Sequence, residues 1–125
     1  MKKVNKGFTL VEILVAVAIL GILAAVGYPS YASYVKKAQR ADAIHALLVE
    51  SGRLEEFYLN SDTYDGAAVA STTSPEGYYT IALSDETAFG YLLTATRSPD
   101  NDPECTTLTY DQLGVKAGEN TFCWE

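Results

Sequence analysis

Glu12 stands at the head of an apolar run in which nothing from Ile13 to Val35 carries a charge, just behind the string Lys6-Gly7-Phe8-Thr9-Leu10-Val11. An acid near the centre of a membrane helix costs about 2.5–3.5 kcal/mol, and less close to an interface, so its presence implies a task or a partner charge. The two cysteines, Cys105 and Cys123, lie far away in the polar C-terminal part, with no histidine nearby. Two thiols alone make a poor zinc site.

Enzyme chemistry is hard to assemble from the remaining residues. His45 is the single histidine and falls on an amphipathic stretch, where a structural or exposed role suits it better than a nucleophile relay. Ser33-Tyr34-Val35-Lys36 matches the loose Ser-x-x-Lys pattern of penicillin-recognising enzymes, but no companion motif follows. Asp100, Asn101, Asp102 and Glu104 offer oxygen ligands, yet Pro99 and Pro103 flank them and the calcium-loop spacing is absent, so a turn in a polar loop is expected. Asp62, Asp65, Asp85 and Glu86 read as solvated loop acids, since nothing fixes a separation suited to acid–base work. No catalytic residues, no cofactor and no metal site are expected, and the chain is read as not an enzyme.

The elements around Glu12 are more informative. As a helix rising about 1.5 Å per residue, residues 13–35 cover roughly 35 Å, enough to cross a hydrocarbon core of about 30 Å. Lys2, Lys3 and Lys6 ahead of the run place the N-terminus in the cytoplasm and everything after residue 35 outside it. In that oxidising location a Cys105–Cys123 disulfide is favoured, and closing such a loop restricts the unfolded chain by roughly 3 kcal/mol. The 125 residues allow one domain with a modest core. Removing the three leading lysines takes the formal net charge from −7 to −10. Nucleic-acid binding is therefore not indicated, although one local basic patch would suffice for it.

An ordinary secretory signal is cut after its apolar run, at small residues, and loses that run. Here a short basic leader abuts the run directly, with one carboxylate near its start. The string Gly7-Phe8-Thr9-Leu10-Val11-Glu12 and the uncharged residues behind it resemble the processing site of type IV prepilins. The resemblance implies a cut between Gly7 and Phe8 by prepilin peptidase, N-methylation of the Phe8 amine and retention of the apolar helix. It also implies that Glu12 pairs with the Phe8 amine of a neighbouring subunit, so that a charge poorly satisfied alone sets the register of subunit addition. A second reading leaves Glu12 at the headgroup level or beside the positive end of its own helix. Gly7 suits an extended backbone entering a protease cleft. Further along, Gly21, Gly27 and Pro29 weaken the helix, and Pro29 is expected to kink it. The stretch from Gly21 to Pro29 is the candidate site of helix flexibility in a filament; a plain kinked anchor is the other reading.

Past Pro29 the helix is expected to continue through Tyr31, Tyr34, Lys36, Lys37 and Arg40, the three cations forming a solvated face or, less simply, a phosphate patch. Ile44, Leu47, Leu48, Leu54, Phe57 and Tyr58 then recur at three- and four-residue spacings, with Asp42, Glu50, Glu55 and Glu56 between them, which predicts an amphipathic helix. Residues 60–77 read as a loop, 78–83 and 89–95 as an antiparallel hairpin, 106–110 as a third strand, Gly114 as a turn and 121–124 as a last short strand. Of the tyrosines, Tyr58, Tyr79 and Tyr91 are expected to be buried, and Tyr64 and Tyr110 to be exposed. Arg53, Arg97 and Lys116 are the expected basic surface residues beyond residue 40. The fold class is α+β: a long N-terminal helix, its first half membrane-embedded, packed on a small antiparallel sheet whose C-terminal loop is closed by the disulfide.

The likeness extends along the chain. Tyr28-Pro29-Ser30-Tyr31 with Tyr34-Val35, Arg40-Ala41-Asp42-Ala43, Glu56-Phe57-Tyr58, Asn60 with Thr63-Tyr64, and the closing Cys105, Gly114-Val115-Lys116 and Cys123-Trp124 are similar to minor type IV pilins of the PilE type. The resemblance implies a leader peptide over 1–7, a transmembrane and assembly half over 8–35, and a periplasmic or extracellular head over 36–125. It implies an inner-membrane single-pass protein that becomes a subunit of an extracellular pilus for motility, adhesion or DNA uptake. Other pilin subunits, the prepilin peptidase and an inner-membrane assembly platform with a separate ATPase motor are the implied partners. A DNA- or surface-binding receptor pilin and a pseudopilin of type II secretion are the alternatives.

Overall fold

The computed structural model describes Met1 and residues 6–125, so Lys2 and Lys3, expected in a leader, lie outside the described residues. One α-helix, α1, runs over Leu10–Ser61, and the chain divides into two compact units, Met1–Val35 and Lys36–Glu125.

Within the first unit α1 is apolar on every side and unburied. Leu14, Leu20, Ile22, Leu23 and Val26 are all more than half exposed, which a helix in water does not sustain and a lipid or helix partner would remedy. The helix stays α-helical through Gly21, Gly27 and Pro29. A Cβ added at either glycine meets nothing within 4 Å, so neither is required by packing in the isolated chain.

In the second unit the rest of α1 rests on a four-stranded antiparallel sheet of order β1-β2-β3-β4, with β1 over Thr80–Ser84, β2 over Leu92–Thr96, β3 over Thr107–Asp111 and β4 over Lys116–Gly118. Short connections join neighbouring strands, as an antiparallel meander allows. The register aligns Ile81 with Ala95 and Leu108, and Leu93 with Tyr110, so alternate residues face the helix. Ala43, Ala46, Leu47 and Leu54 supply the helix stripe, and Tyr79, Ile81, Tyr91, Leu93, Ala95 and Leu108 the sheet face. Alanines at 43, 46 and 95 let the two layers approach closely.

Several expectations are corrected by this packing. Leu48 and Phe57 are exposed, because the stripe that meets the sheet runs through 43, 47, 50, 51 and 54. Asp42 and Glu50, read as solvent-facing, are buried because each carboxylate accepts a backbone N–H from the loop after α1. The fourth strand is Lys116–Gly118, immediately after the turn at Gly114 (φ 75°), while Thr121–Trp124 is a 3-10 helix. That tight turn brings Cys123 back onto Cys105. Tyr64 is buried, not exposed, stacked on Tyr58 with ring centroids 4.7 Å apart and edge-on to Tyr91 at 4.9 Å; Tyr110 is half-buried.

Candidate functional site

The N-terminal motif is built around a helix start. Thr9 is the N-cap of α1: its carbonyl accepts the first helical hydrogen bond from the Ile13 N–H at 3.2 Å. Its hydroxyl accepts from the Glu12 N–H at 3.2 Å, and Glu12 Oε2 accepts from the Thr9 N–H at 3.4 Å. This reciprocal Thr-x-x-Glu arrangement is a capping box, and it satisfies two helix donors that are otherwise orphaned. Glu12 therefore sits at the positive end of its own helix dipole. Lys6, Gly7 and Phe8 precede the cap in non-helical backbone and are exposed, Phe8 to 79 %.

At the C-terminal side, Cys105 and Cys123 form the disulfide, and both are fully buried. Beside it lies an ion pair that corrects two sequence readings. Arg40, expected on a solvated face, is buried and donates from Nε to Asp102 Oδ2 at 2.7 Å and from Nη2 to Oδ1 at 3.0 Å. Asp102, expected in an exposed turn, is fully buried. Burial alone would push its carboxyl up, but the Arg40 guanidinium, with the charges of Lys36 and Arg97, outweighs it and holds Asp102 below the usual carboxylate range. The Asp102 hydrogen bond in turn raises Arg40, against the effect of burial. Arg97, expected at the surface, is buried against the Tyr79 ring, 5.1 Å from its centroid, and donates to Gln39.

The loop from Asp62 to Tyr79 is tied to α1 by carboxylates. Glu50 accepts from the Ala70 N–H at 2.8 Å and Asp42 from the Glu76 N–H at 3.0 Å. Beneath the loop, Ser51 and Tyr91 hydroxyls bond at 2.9 Å, and the Tyr64 hydroxyl donates to Glu55 at 2.9 Å. Burial, then that bond to Glu55, pushes the Tyr64 phenol up to about 12.

These contacts are structural, not catalytic. Among the described residues no three His, Cys, Asp or Glu side chains gather as a metal site. His45 is exposed at a groove of about 200 Å³ lined by Val49, Glu50, Arg53, Pro75 and Ile81. With Arg40 and Arg97 buried, the exposed cations of the second unit are Lys37, Arg53 and Lys116, the last lying over the Trp124 ring. The Thr9 cap is not among the expectations above, although Thr followed three residues later by Glu before an apolar run is its sequence signature.

Residues 29–109 match a family model described as "Type IV minor pilin ComP, DNA uptake sequence receptor", and residues 2–28 match the prokaryotic N-terminal methylation motif. The fimbrial protein EcpC of Eikenella corrodens is 30% identical over 100% of this chain and 84% of its own length. The type IV major pilin protein PilE of Neisseria gonorrhoeae is 36% identical over 81% of this chain, which spans 61% of PilE. A solved type IV pilin from Shewanella oneidensis has a TM-score of 0.58 at 30% identity, with 72% of this chain and 98% of that one covered. A long N-terminal helix on a four-stranded antiparallel sheet, behind a methylation motif, defines a pilin. The chain belongs to the type IV pilin family. It is a structural subunit rather than an enzyme, and pilins assemble with other pilin subunits. The apolar helix and the relatives fit a membrane-anchored pilin that becomes part of an extracellular pilus.

Proposed function

We propose that this chain is a minor pilus subunit whose Gly7–Phe8 bond is hydrolysed by prepilin peptidase, leaving a Gly7 carboxylate on the leader and a free amine on Phe8, which then takes a methyl group from a sulfonium methyl donor with loss of a proton and release of the thioether. Residues 8–35 then hold the subunit in the inner membrane, with 36–125 as the head outside. Assembly adds it helix-first through a platform driven by a separate ATPase. The observation that carries this reading is the apolar rod of α1, unburied on every side, with Glu12 as the lone acid beside its start. In the membrane that carboxylate is served only by its own cap. The methylated Phe8 amine of a neighbour gives it a counter-charge and fixes the register of addition. Gly21 and Pro29 supply flexibility within the rod.

Intact mass of the protein from membranes and from sheared filaments tests this, comparing wild type, a strain lacking the peptidase and Glu12→Val. A chain starting at methylated Phe8, present in filaments only when Glu12 is present, is expected. An uncut chain starting at Met1 in wild type would sink the proposal. Loss of protein secretion without loss of pili in a deletion strain would move the chain to the type II pseudopilins.

A second reading, a DNA receptor on the pilus, is favoured by the match of residues 29–109 to a family described as a DNA uptake sequence receptor. Residues 36–125 hold six Lys and Arg against fifteen Asp and Glu, so phosphate contact would have to come from a few cations such as Arg53 and Lys116. Binding that weakens steeply with salt and falls in Lys116→Gln supports this reading; binding indifferent to salt removes it.

A further inference from the structure

The geometry points to Thr9 as a positioning residue for leader removal: by capping α1 it keeps the Gly7–Phe8 bond out of the helix and open to the peptidase. This inference rests on the proposed cleavage at that bond. A peptide bond inside an α-helix has its N–H and C=O engaged with residues four away, and a protease that reads an extended backbone cannot reach it. Here α1 begins at Leu10, and Lys6, Gly7 and Phe8 remain non-helical. The boundary is fixed by three hydrogen bonds that all use Thr9: Ile13 N–H to its carbonyl, Glu12 N–H to its hydroxyl, and its own N–H to the Glu12 carboxylate. The second of these matters most. A Glu12 N–H held by the Thr9 hydroxyl is not available to the Phe8 carbonyl four residues earlier, the bond by which the helix would wind back towards Phe8 and Gly7.

Gly7 makes the device sharper. Among the described residues no atom lies within 4 Å of where its Cβ would be, so their packing does not hold the proposed scissile segment in place. Its conformation is left to the competition between the cap and helix propagation into the leader. If cleavage draws only on the unwound conformer, the apparent affinity of the peptidase scales with the fraction unwound. Loss of a cap is worth about 1 kcal/mol, a factor of roughly five.

Full-length protein in detergent micelles, cleaved by purified prepilin peptidase, tests the assignment. Thr9→Ala is expected to raise KM, by up to about fivefold, with kcat unchanged. Thr9→Ser and Thr9→Asn, which differ in shape from Thr but cap equally, are expected to restore wild-type KM. Glu12→Gln, which still serves the third helical position of a capping box, is expected to be cleaved normally. A wild-type KM for Thr9→Ala, a fall in kcat instead, or failure of both Ser and Asn to rescue would each overturn the positioning role while leaving the cleavage reading intact. An uncut wild-type chain would overturn the cleavage reading, and this inference with it.

Discussion

Arg40 and Asp102, one on α1 and the other in the loop between β2 and β3, form a two-point ion pair inside the head, with Nε to Oδ2 at 2.7 Å and Nη2 to Oδ1 at 3.0 Å. Asp102 is fully buried, and Glu104 approaches the same guanidinium at 3.8 Å from the solvent side. Through Cys105, three residues on, the pair fastens helix, loop and disulfide together.

Breaking that pair from one side strands a buried charge. Arg40→Ala or Asp102→Ala is expected to destabilise the head by about 3–5 kcal/mol, while Arg40→Met combined with Asp102→Leu stays close to wild type. Urea unfolding of the full chain in micelles, followed by Trp124 fluorescence, measures both. Single variants within the range of ordinary surface substitutions would show that the pair is solvated.

The same pair gives an acid dependence. Asp102 has a folded pKa below its unfolded one because the charges around it, Arg40 foremost with Lys36 and Arg97, together outweigh the effect of burial. A depressed carboxyl contributes stability that is complete above its unfolded pKa, about 4, and is lost as pH falls through the folded value below that. Unfolding midpoints measured from neutral to strongly acidic pH are expected to fall more steeply for wild type than for Asp102→Asn. Parallel curves would remove Asp102 as the source.

At the alkaline end Tyr64 takes over. Its phenol is pushed up to about 12 by burial and by the hydrogen bond to Glu55. A group whose folded pKa is raised contributes stability that is complete below its unfolded pKa, about 10, and lost as pH rises through the folded value. The head is therefore expected to lose stability between about pH 10 and pH 12, and Tyr64→Phe to lose less of it. Tyrosinate absorbance against pH, read beside the unfolding midpoint, checks the coincidence.

What was legible in the sequence was whatever periodicity or turn chemistry dictates. Leu47 and Leu54 fall at helical spacing, Ile81 and Leu93 alternate in strands, and Gly114 marks the turn that needs a positive φ. What was not legible depended on a partner distant in the chain. Arg40 looked like a surface cation because Asp102, which buries it, is 62 residues away. Asp42 and Glu50 looked like the polar face of α1 because the loop whose N–H groups they accept has no pattern of its own. The Thr9 cap is local, and its Thr-x-x-Glu spacing is written in the sequence, but the same Glu12 also suits an intermolecular partner, and spacing alone does not separate the two.

The disulfide closes the segment that carries β3 and β4. Cys105 and Cys123 are 18 residues apart and fully buried, and Asn120 donates to the Glu104 carbonyl beside them. Replacing both by serine is expected to cost roughly 3 kcal/mol. Because the 3-10 helix Thr121–Trp124 depends on this tether, its amides are expected to lose exchange protection before those of β1 and β2. Uniform loss of protection across the head would show that the loop and sheet unfold as one unit.

Helix α1 passes through Gly21 and Pro29 without a break in the isolated chain, yet both residues weaken it: Gly by about 1 kcal/mol and Pro by about 3 kcal/mol relative to Ala. A helix that is intact but poorly stabilised between two such points yields first under load or on repacking against neighbours. Gly21→Ala with Pro29→Ala is expected to leave subunit processing unchanged, to slow amide exchange between the two positions in micelles by an order of magnitude or more, and to give filaments that resist extension in a force measurement. Neither residue is needed for close packing within the chain, since the Cβ of Gly21→Ala meets no atom within 4 Å. A stiffened rod that exchanges as fast as wild type would place the weak point elsewhere in α1, and filaments that stretch unchanged would leave Gly21 and Pro29 as features of a simple anchor.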